Sequence, residues 1–550
     1  MTRSLPAGRS ARPRPAAACP RTWPATLALL AAMLPATAVH ATDITTDIDG
    51  LSLRWDNTLR YSNAWRTRGP SAALTGCAWC ANADDGDRNF GRGLISNRVD
   101  LLSEFDLAYH DVGLRVSGAA WYDSVYRQGT DHDSAATFNP VSVSSGRFTD
   151  ATARLHGRDA EILDAFVYVK GELGGDHPYL LRAGRHTLVF GEAMFFGANG
   201  ITAAQAPTDV VKAMSVPNAT AKELAMPVGQ VSGQVTLDEQ FTLSGYVQYE
   251  WRASRLPGVG SYFSMDDFRG VGGERRLQPP VPFTRGQDLE ASDSGQYGVQ
   301  LKYNAQSLDT DFGLYHLRYH DKTPRLYNYV PPVRQYAMVY PEGIDVFGLS
   351  FSRNVGAAAV AGEASVRHHM PLVGGGNAVA AGVQADNADH ALYAVGRTAH
   401  LLLNGTLPLP RGDFWHGGFL MGELAWNRRL SVDRNPAALH PGADRDAWGL
   451  RVLMAPSYQQ VLPRLDLSVP VGLSYFPKGR SSAVGNFGVH HGGTYNLGLQ
   501  GTYDTVWRLS LTYTGFYGPE DTFADAAGLA TFKQALKDRD HLSFSLQRSF

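Results

Sequence analysis

The sequence predicts an all-β fold: a transmembrane antiparallel β-barrel of about 18 strands, with short periplasmic turns and long outer loops. Three observations carry this. Apolar and polar residues alternate with period two over segments of about ten residues. The connections between those segments alternate between short and long. The C-terminal stretch HLSFSLQRSF is itself such a strand: Leu542, Phe544, Leu546 and Phe550 share one parity, and His541, Ser543, Ser545, Gln547 and Ser549 share the other. Only Arg548 breaks the apolar set.

At the N-terminus, Arg3, Arg9, Arg12, Arg14 and Arg21 precede the apolar run WPATLALLAAML and the small-residue site Ala38-Val39-His40-Ala41. This is the layout of an export signal, so residues 1–41 are read as a signal peptide cleaved near Ala41. The run is too short to span a bilayer comfortably. A basic leader this long also leaves open whether Met1 is the true start. Cleavage removes five Arg and no acid, leaving 45 basic and 52 acidic residues, a net charge of −7. That balance gives no reason to expect nucleic acid as a partner. Cys19 leaves with the signal, and only Cys77 and Cys80 remain, so the fold does not depend on a disulfide framework. No later run reaches eighteen apolar residues; a membrane form would therefore be a closed barrel.

The strands read in order. In LSLRWDNTLRYSNAW, Leu51, Leu53, Trp55, Leu59 and Tyr61 oppose Arg54, Asp56, Thr58, Arg60 and Ser62. FTLSGYVQYEWR sets Phe241, Leu243, Val247, Tyr249 and Trp251 against Thr242, Ser244, Gln248, Glu250 and Arg252. LDLSVPVGLSYF repeats the pattern. A soluble sandwich alternates too, but here the apolar parity often ends in Tyr or Trp, as an interfacial girdle does. Short links fall near residues 110, 174, 238, 307, 353, 409 and 504. Long loops span 66–93, 128–155, 191–228, 253–293, 325–342, 372–389, 432–445, 479–492 and 519–538. The barrel then occupies 51–550, after a short periplasmic segment at 42–50. Polar-parity residues expected to set lumen electrostatics are Arg98, Glu104, Arg115, Arg182, Arg185, His316 and Arg318. Their signs are mixed.

The loop 191–228 differs from the others. It carries Met194, Phe195, Phe196, Ile201, Val210, Val211, Met214 and Met226, with short helices expected through DVVKAM and from Ala219 to Leu224. So apolar a loop is expected to fold inward as a constriction. Two readings of it stand: a Met/Phe surface for greasy cargo, or plug packing without cargo contact.

The stretches DDGDRNFGRGLISNRVDLLSEFDL, GRDAEILDAFVYVKGEL, LRAGRHTLVFGEAMFFGANGITAAQAPTDVVKAMSVPNATAKELAMPVGQVSGQVTL and QYEWRASRLPGVGSYFS resemble a proteobacterial outer-membrane family, catalogued as domain-of-unknown-function family thirteen-oh-two. The resemblance covers the mature chain and is sharpest from Asp84 to Phe263. It implies an outer-membrane barrel of a Gram-negative bacterium that handles hydrophobic compounds such as sterols and aromatics. It also implies possible partnership with a periplasmic carrier or transporter. The family supplies no functional residues to carry over.

Other motifs are weak. Cys77 and Cys80 in CAWC read as a loop staple rather than a redox or zinc site, since no second pair or strand–helix setting accompanies them. Asp84, Asp85 and Asp87 are weak calcium candidates without the full twelve-residue loop; a solvated turn is the expected reading. Neighbours along a strand point to opposite faces, so the adjacent pairs His368-His369 and His490-His491 make no bidentate site and are read as strand-end or loop histidines. No GxSxG, HExxH or GxxxxGK[ST] is present. The resulting expectation is a non-enzymatic, cofactor-free channel for passive uptake of hydrophobic or amphipathic molecules, with outer-membrane lipid as its surroundings. The alternatives are an exporter of an anionic polymer, or a structural or adhesive surface protein. An outer-membrane lipid enzyme ranks third.

Overall fold

The computed structural model describes residues 42–44, 46–77 and 79–550; the expected signal segment and its cleavage site lie outside the described residues. Alternation of apolar and polar side chains produces eighteen antiparallel strands in one closed barrel. They are β1 (Leu51–Arg66), β2 (Gly93–Tyr109), β3 (Val112–Asp123), β4 (Arg158–Leu173), β5 (His177–His186), β6 (Val228–Thr236), β7 (Phe241–Gln248), β8 (Gln296–Ala305) and β9 (Thr310–Tyr319). Then follow β10 (Ile344–Val355), β11 (Ala358–Pro371), β12 (Val395–Pro408), β13 (Gly417–Arg434), β14 (Asp446–Leu462), β15 (Leu465–Ser468 and Val471–Lys478), β16 (Gly493–Tyr503), β17 (Trp507–Tyr517) and β18 (His541–Ser549). Pro470, which has no N–H to give, sits at the break in β15. Each strand pairs with the next, and β18 closes on β1 from Thr58 opposite Ser549 to Arg66 opposite His541. Closure removes the free edge that a membrane core does not tolerate.

The outer face is apolar. Leu101, Val247, Leu314, Leu349, Leu403, Leu497 and Leu511 are exposed there, Leu349 at 56%. Tyr109 and Tyr503 end strands before short turns, while Tyr122 and Trp448 lie beside long loops; all four are exposed, as two aromatic girdles require. On β18, Ser543 and Ser545 are buried on the inner parity, opposite the Leu542 and Phe544 face. Nine long loops and eight short turns connect the strands. The eighth short turn, Pro463-Arg464 between β14 and β15, was not visible as a separate link in the sequence.

The long loops build a structured cap. Arg275–Arg276, Phe283–Arg285, Arg325–Tyr329, Gln335–Val339 and Asn377–Val379 form a second, five-stranded sheet. Tyr327, Val339, Val379 and Tyr393 pack on it, and Phe268, Phe283, Tyr336 and Met338 make a neighbouring cluster. At the barrel seam Arg66 reaches Asp87 and Asp538, each at 2.9 Å, and Arg539 reaches Asp87 at 2.7 Å. The seam between first and last strand is thus held at its outer end by buried charges.

Candidate functional site

The loop between β5 and β6 runs into the barrel and is fastened to lumen-facing side chains by its own backbone. Glu423 of β13 accepts the N–H groups of Met194 (3.0 Å), Phe195 and Phe196 (2.8 Å). Glu363 of β11 accepts those of Glu192 and Ile201, both at 2.8 Å. Arg367 of β11 donates to the carbonyls of Ala198 (3.2 Å) and Gly200 (2.8 Å). Asn199 donates to the carbonyls of Leu401 and Trp426, and its Oδ1 meets His400 at 3.1 Å. An irregular backbone carries polar groups that must be satisfied in the interior. Here three wall residues, Glu423, Glu363 and Arg367, satisfy them.

The apolar side chains of this loop divide into two sets. Ile201 is buried with Phe190, Tyr246, Tyr315 and Leu317. Val211 and Met226 are buried as well, while Val210 and Met214 are half-buried, Met214 against the Phe90–Tyr126–Tyr262 cluster. These form plug packing. Met194, Phe195 and Phe196 remain half-buried: Phe196 packs on Phe476 and Phe487, and the Arg451 guanidinium lies 4.8 Å from the Phe195 ring centre. The expected helices form at Val210–Ser215 and Ala221–Leu224. Asp209 caps the first, and Thr220 with Glu223 makes a capping box on the second.

The far end of the loop meets the β1–β4 wall through ion pairs. Glu223 takes Arg60 at 3.1 Å, Lys222 reaches Glu104 at 2.6 Å, and Lys212 reaches Glu161 at 3.4 Å. Arg255 bridges Glu161 and Asp209, at 2.5 and 2.7 Å. The loop therefore crosses the lumen from the β11–β13 wall to the β1–β4 wall.

Of the residues expected to set lumen electrostatics, Arg98, Glu104, Arg115 and Arg182 lie on the inner parity. Arg98 pairs with Asp100 at 2.7 Å, Arg115 with Glu104 at 2.6 Å, and Arg182 lies over the Phe166 ring. Three expectations are corrected. Arg185 is on the opposite parity to Arg182, with exposed Leu181 and Ala183, and pairs with Glu250 at 2.5 Å. His316 and Arg318 face outward: His316 stacks on exposed Phe347, and Arg318 pairs with Asp345 at 3.2 Å. On β9 the inner face carries Tyr315, Leu317 and Tyr319, because the inserted loop supplies an apolar surface for them. The usual code of polar-in and apolar-out reverses locally.

The acidic cluster is corrected too. Asp84, Asp85 and Asp87 are buried, not solvated. Asp87 belongs to the arginine network; burial alone would raise it, but Arg539 and Arg66 hold its carboxyl below the ordinary value. Asp84 pairs with Arg88 at 2.5 Å, yet burial pushes its carboxyl up to about 6. Asp85 is also raised by burial, against hydrogen bonding from His132. Cys77 and Cys80 are disulfide-bonded in this first outer loop.

Sequence reasoning missed Glu363, Arg367, Asn199 and Glu423. A signal was present: isolated charges on the polar parity of strands otherwise lined with Ser, Asn and Ala, as in AGEASVRHH and MGELAW, with an apolar loop elsewhere in need of anchors.

Solved structures with similar chain paths include OccAB4 of Acinetobacter baumannii, at 8% identity and a TM-score of 0.41 over 90% of this chain and 98% of that one. OccAB1 of the same organism aligns at 10% identity and 0.40, over 90% and 96%. Pseudomonas aeruginosa OccK2 (OpdF), solved in complex with glucuronate, aligns at 10% identity and 0.37, over 90% and 98%. No relative was found among curated protein sequences. The family model described as "Protein of unknown function (DUF1302)" matches residues 22–550, and the chain belongs to that family.

Proposed function

We propose that this barrel is an outer-membrane channel for passive uptake of hydrophobic or amphipathic small molecules: sterol-like, fatty-acid-like or aromatic. The carrying observation is the half-buried Met194-Phe195-Phe196 strip, presented inside a polar barrel by a backbone anchored on Glu423. Ile201, Val211 and Met226 are buried in packing, and the half-buried strip is the part we assign to cargo. Its thioether and rings suit ligands of varied shape, and Arg451 beside Phe195 suits a carboxylate end. Export of an anionic polymer fits less well. It would need a cationic lumen, and Arg60, Arg98, Arg115 and Lys212 are each paired with an acid. A periplasmic carrier at the short-turn side would remove cargo downhill.

The test is uptake in matched native and deletion cells of a labelled sterol, long-chain fatty acid, aromatic acid and small sugar. Selective loss of the greasy members, restored by the wild-type gene and not by Phe195→Ser/Phe196→Ser, is the expected result. Equal uptake of all four by both strains would refute the proposal and favour a surface role.

A further inference from the structure

The membrane face of the barrel carries a furrow that the transport reading does not use. It lies over β8 to β13 and has a volume of about 670 Å³. That falls within the ~300–1,000 Å³ of small-molecule sites. The register explains it. Ladder partners share a face, and one outward row runs Leu349, Ala364, Leu401, Trp426 across β10 to β13. The next row toward the long loops runs Phe347, Val366, Ala399, Arg428. Ala364 and Ala399 make the floor, and the larger apolar side chains of these rows stand around it. A large apolar side chain buries more area against lipid than alanine does, so two adjacent alanines leave room for a bound chain.

The end of the furrow nearest the long loops holds hydrogen-bond donors without acceptors. Arg318 gives only Nη1 to Asp345, at 3.2 Å, and Arg428 only Nη1 to Asp446, at 3.0 Å. Nε and Nη2 of both guanidiniums have no partner among the described residues, and the two side chains are 41% and 39% exposed. His316 and His368 flank Phe347 through ring contacts alone. Donors on a membrane face need acceptors from what surrounds them. Long loops mark the outer side, so this end lies in the outer leaflet, whose lipid is an acylated, phosphorylated glucosamine disaccharide. Its phosphate oxygens suit the guanidinium fork, and its acyl chains suit the floor. Arg318 and Arg428 stand on β9 and β13, four strand spacings or roughly 19 Å apart along the wall. Long side chains at the two ends of such a gap fit a headgroup with two phosphates better than one with a single phosphate. The convex wall of a second barrel would bridge the furrow without filling it.

We propose that this furrow binds one diphosphorylated, acylated glucosamine disaccharide of the outer leaflet, with acyl chains over Ala364 and Ala399 and phosphates on Arg318 and Arg428. The test is native mass spectrometry of the full-length mature protein in detergent, with diphosphoryl lipid A, monophosphoryl lipid A or phosphatidylethanolamine added. Diphosphoryl lipid A should be retained at one per chain, at least about tenfold above phosphatidylethanolamine, with the monophosphoryl form between them. Ala364→Trp/Ala399→Phe, confirmed folded by heat-modifiable migration, should lower that retention about tenfold or more. Arg318→Gln/Arg428→Gln, confirmed in the same way, should abolish the preference for two phosphates over one. Val231→Phe, at an exposed lipid-face position on β6, should leave retention unchanged. Wild-type protein that retains no lipid A, or retains phosphatidylethanolamine equally, overturns the proposal. So does retention that filling the floor leaves unchanged. A lipid-free oligomer that Ala364→Trp/Ala399→Phe takes apart also overturns it, and gives the furrow to a second copy of this chain. Since the readout is lipid retention and not uptake, failure of the transport reading would not affect it.

Discussion

Glu423→Ala is the sharpest perturbation of the inserted loop. Glu423 is 1% exposed and its carboxylate receives three consecutive amide N–H groups, from Met194, Phe195 and Phe196. Hydrogen bonds to charged groups contribute about 1.5–3 kcal/mol each, but three on one carboxylate are not additive. We take about 4 kcal/mol as the cost of removing the acceptor and leaving three inner-face amides without it. Each 1.4 kcal/mol is about tenfold in an equilibrium constant, so the docked-to-undocked ratio of this segment falls about a thousandfold. The effect stays local. Glu363 still holds Glu192 and Ile201, and Arg367 still holds Ala198 and Gly200. The Phe195 ring leaves Arg451, and Phe196 loses its seat on Phe476 and Phe487. Single-channel recording in planar bilayers should show higher conductance and more open-channel noise, with Glu423→Gln, which keeps one acceptor oxygen, in between. A folded Glu423→Ala protein with wild-type conductance and noise would show that the strip does not narrow the pore.

Deletion of residues 195–226 should raise conductance further than Glu423→Ala, because the whole crossing is removed; unchanged conductance would mean that the loop does not line the pore. Leu349→Arg, on the lipid face, should cost about 2–4 kcal/mol in reversible unfolding from lipid vesicles, whereas Ser350→Ala, inward on the same strand, should cost under half of that. Asp538, buried beside Asp87, has its carboxyl pushed up to about 6 by burial first and then by the Asp87 charge. Its folded value lies above the unfolded one, so the ionised form costs stability above about pH 6, and that cost is relieved as pH falls toward 4. Wild type should therefore gain on Asp538→Asn in melting temperature between pH 7.5 and pH 5; a constant difference would contradict the assignment. Far-ultraviolet circular dichroism in detergent should be dominated by sheet; a helix-rich spectrum would sink the barrel.

How much of this was legible in the sequence depends on what each side chain meets. Where one strand face meets lipid and the other water, parity alone places the residue, as for Leu542 and Ser543 on β18 or Leu53 and Arg54 on β1. Loop positions were legible as well, because turns and long insertions interrupt the alternation. Parity misleads where the inner face meets protein instead of water. On β9 the inserted loop brings Ile201 and Phe190 to the wall, so Tyr315 and Leu317 turn inward and His316 and Arg318 are carried outward. On the same parity Phe312 and Leu314 still face outward as apolar residues, so the reversal is confined to the part of the strand that meets the loop. The acids of ADDGDRNF illustrate a second limit: their partners Arg66, His132, Asp267 and Arg539 come from distant segments, and only the closed cap brings them together. Both failures have one origin. The sequence records the barrel as a repeating two-sided pattern, but the inserted loop and the cap are irregular structures whose polar groups are satisfied by single wall and loop residues. Glu363, Arg367 and Glu423 break the Ser/Ala/Asn run of their strands for that reason, and a charge standing alone on the inner parity of such a barrel marks an anchor before it marks a cargo site.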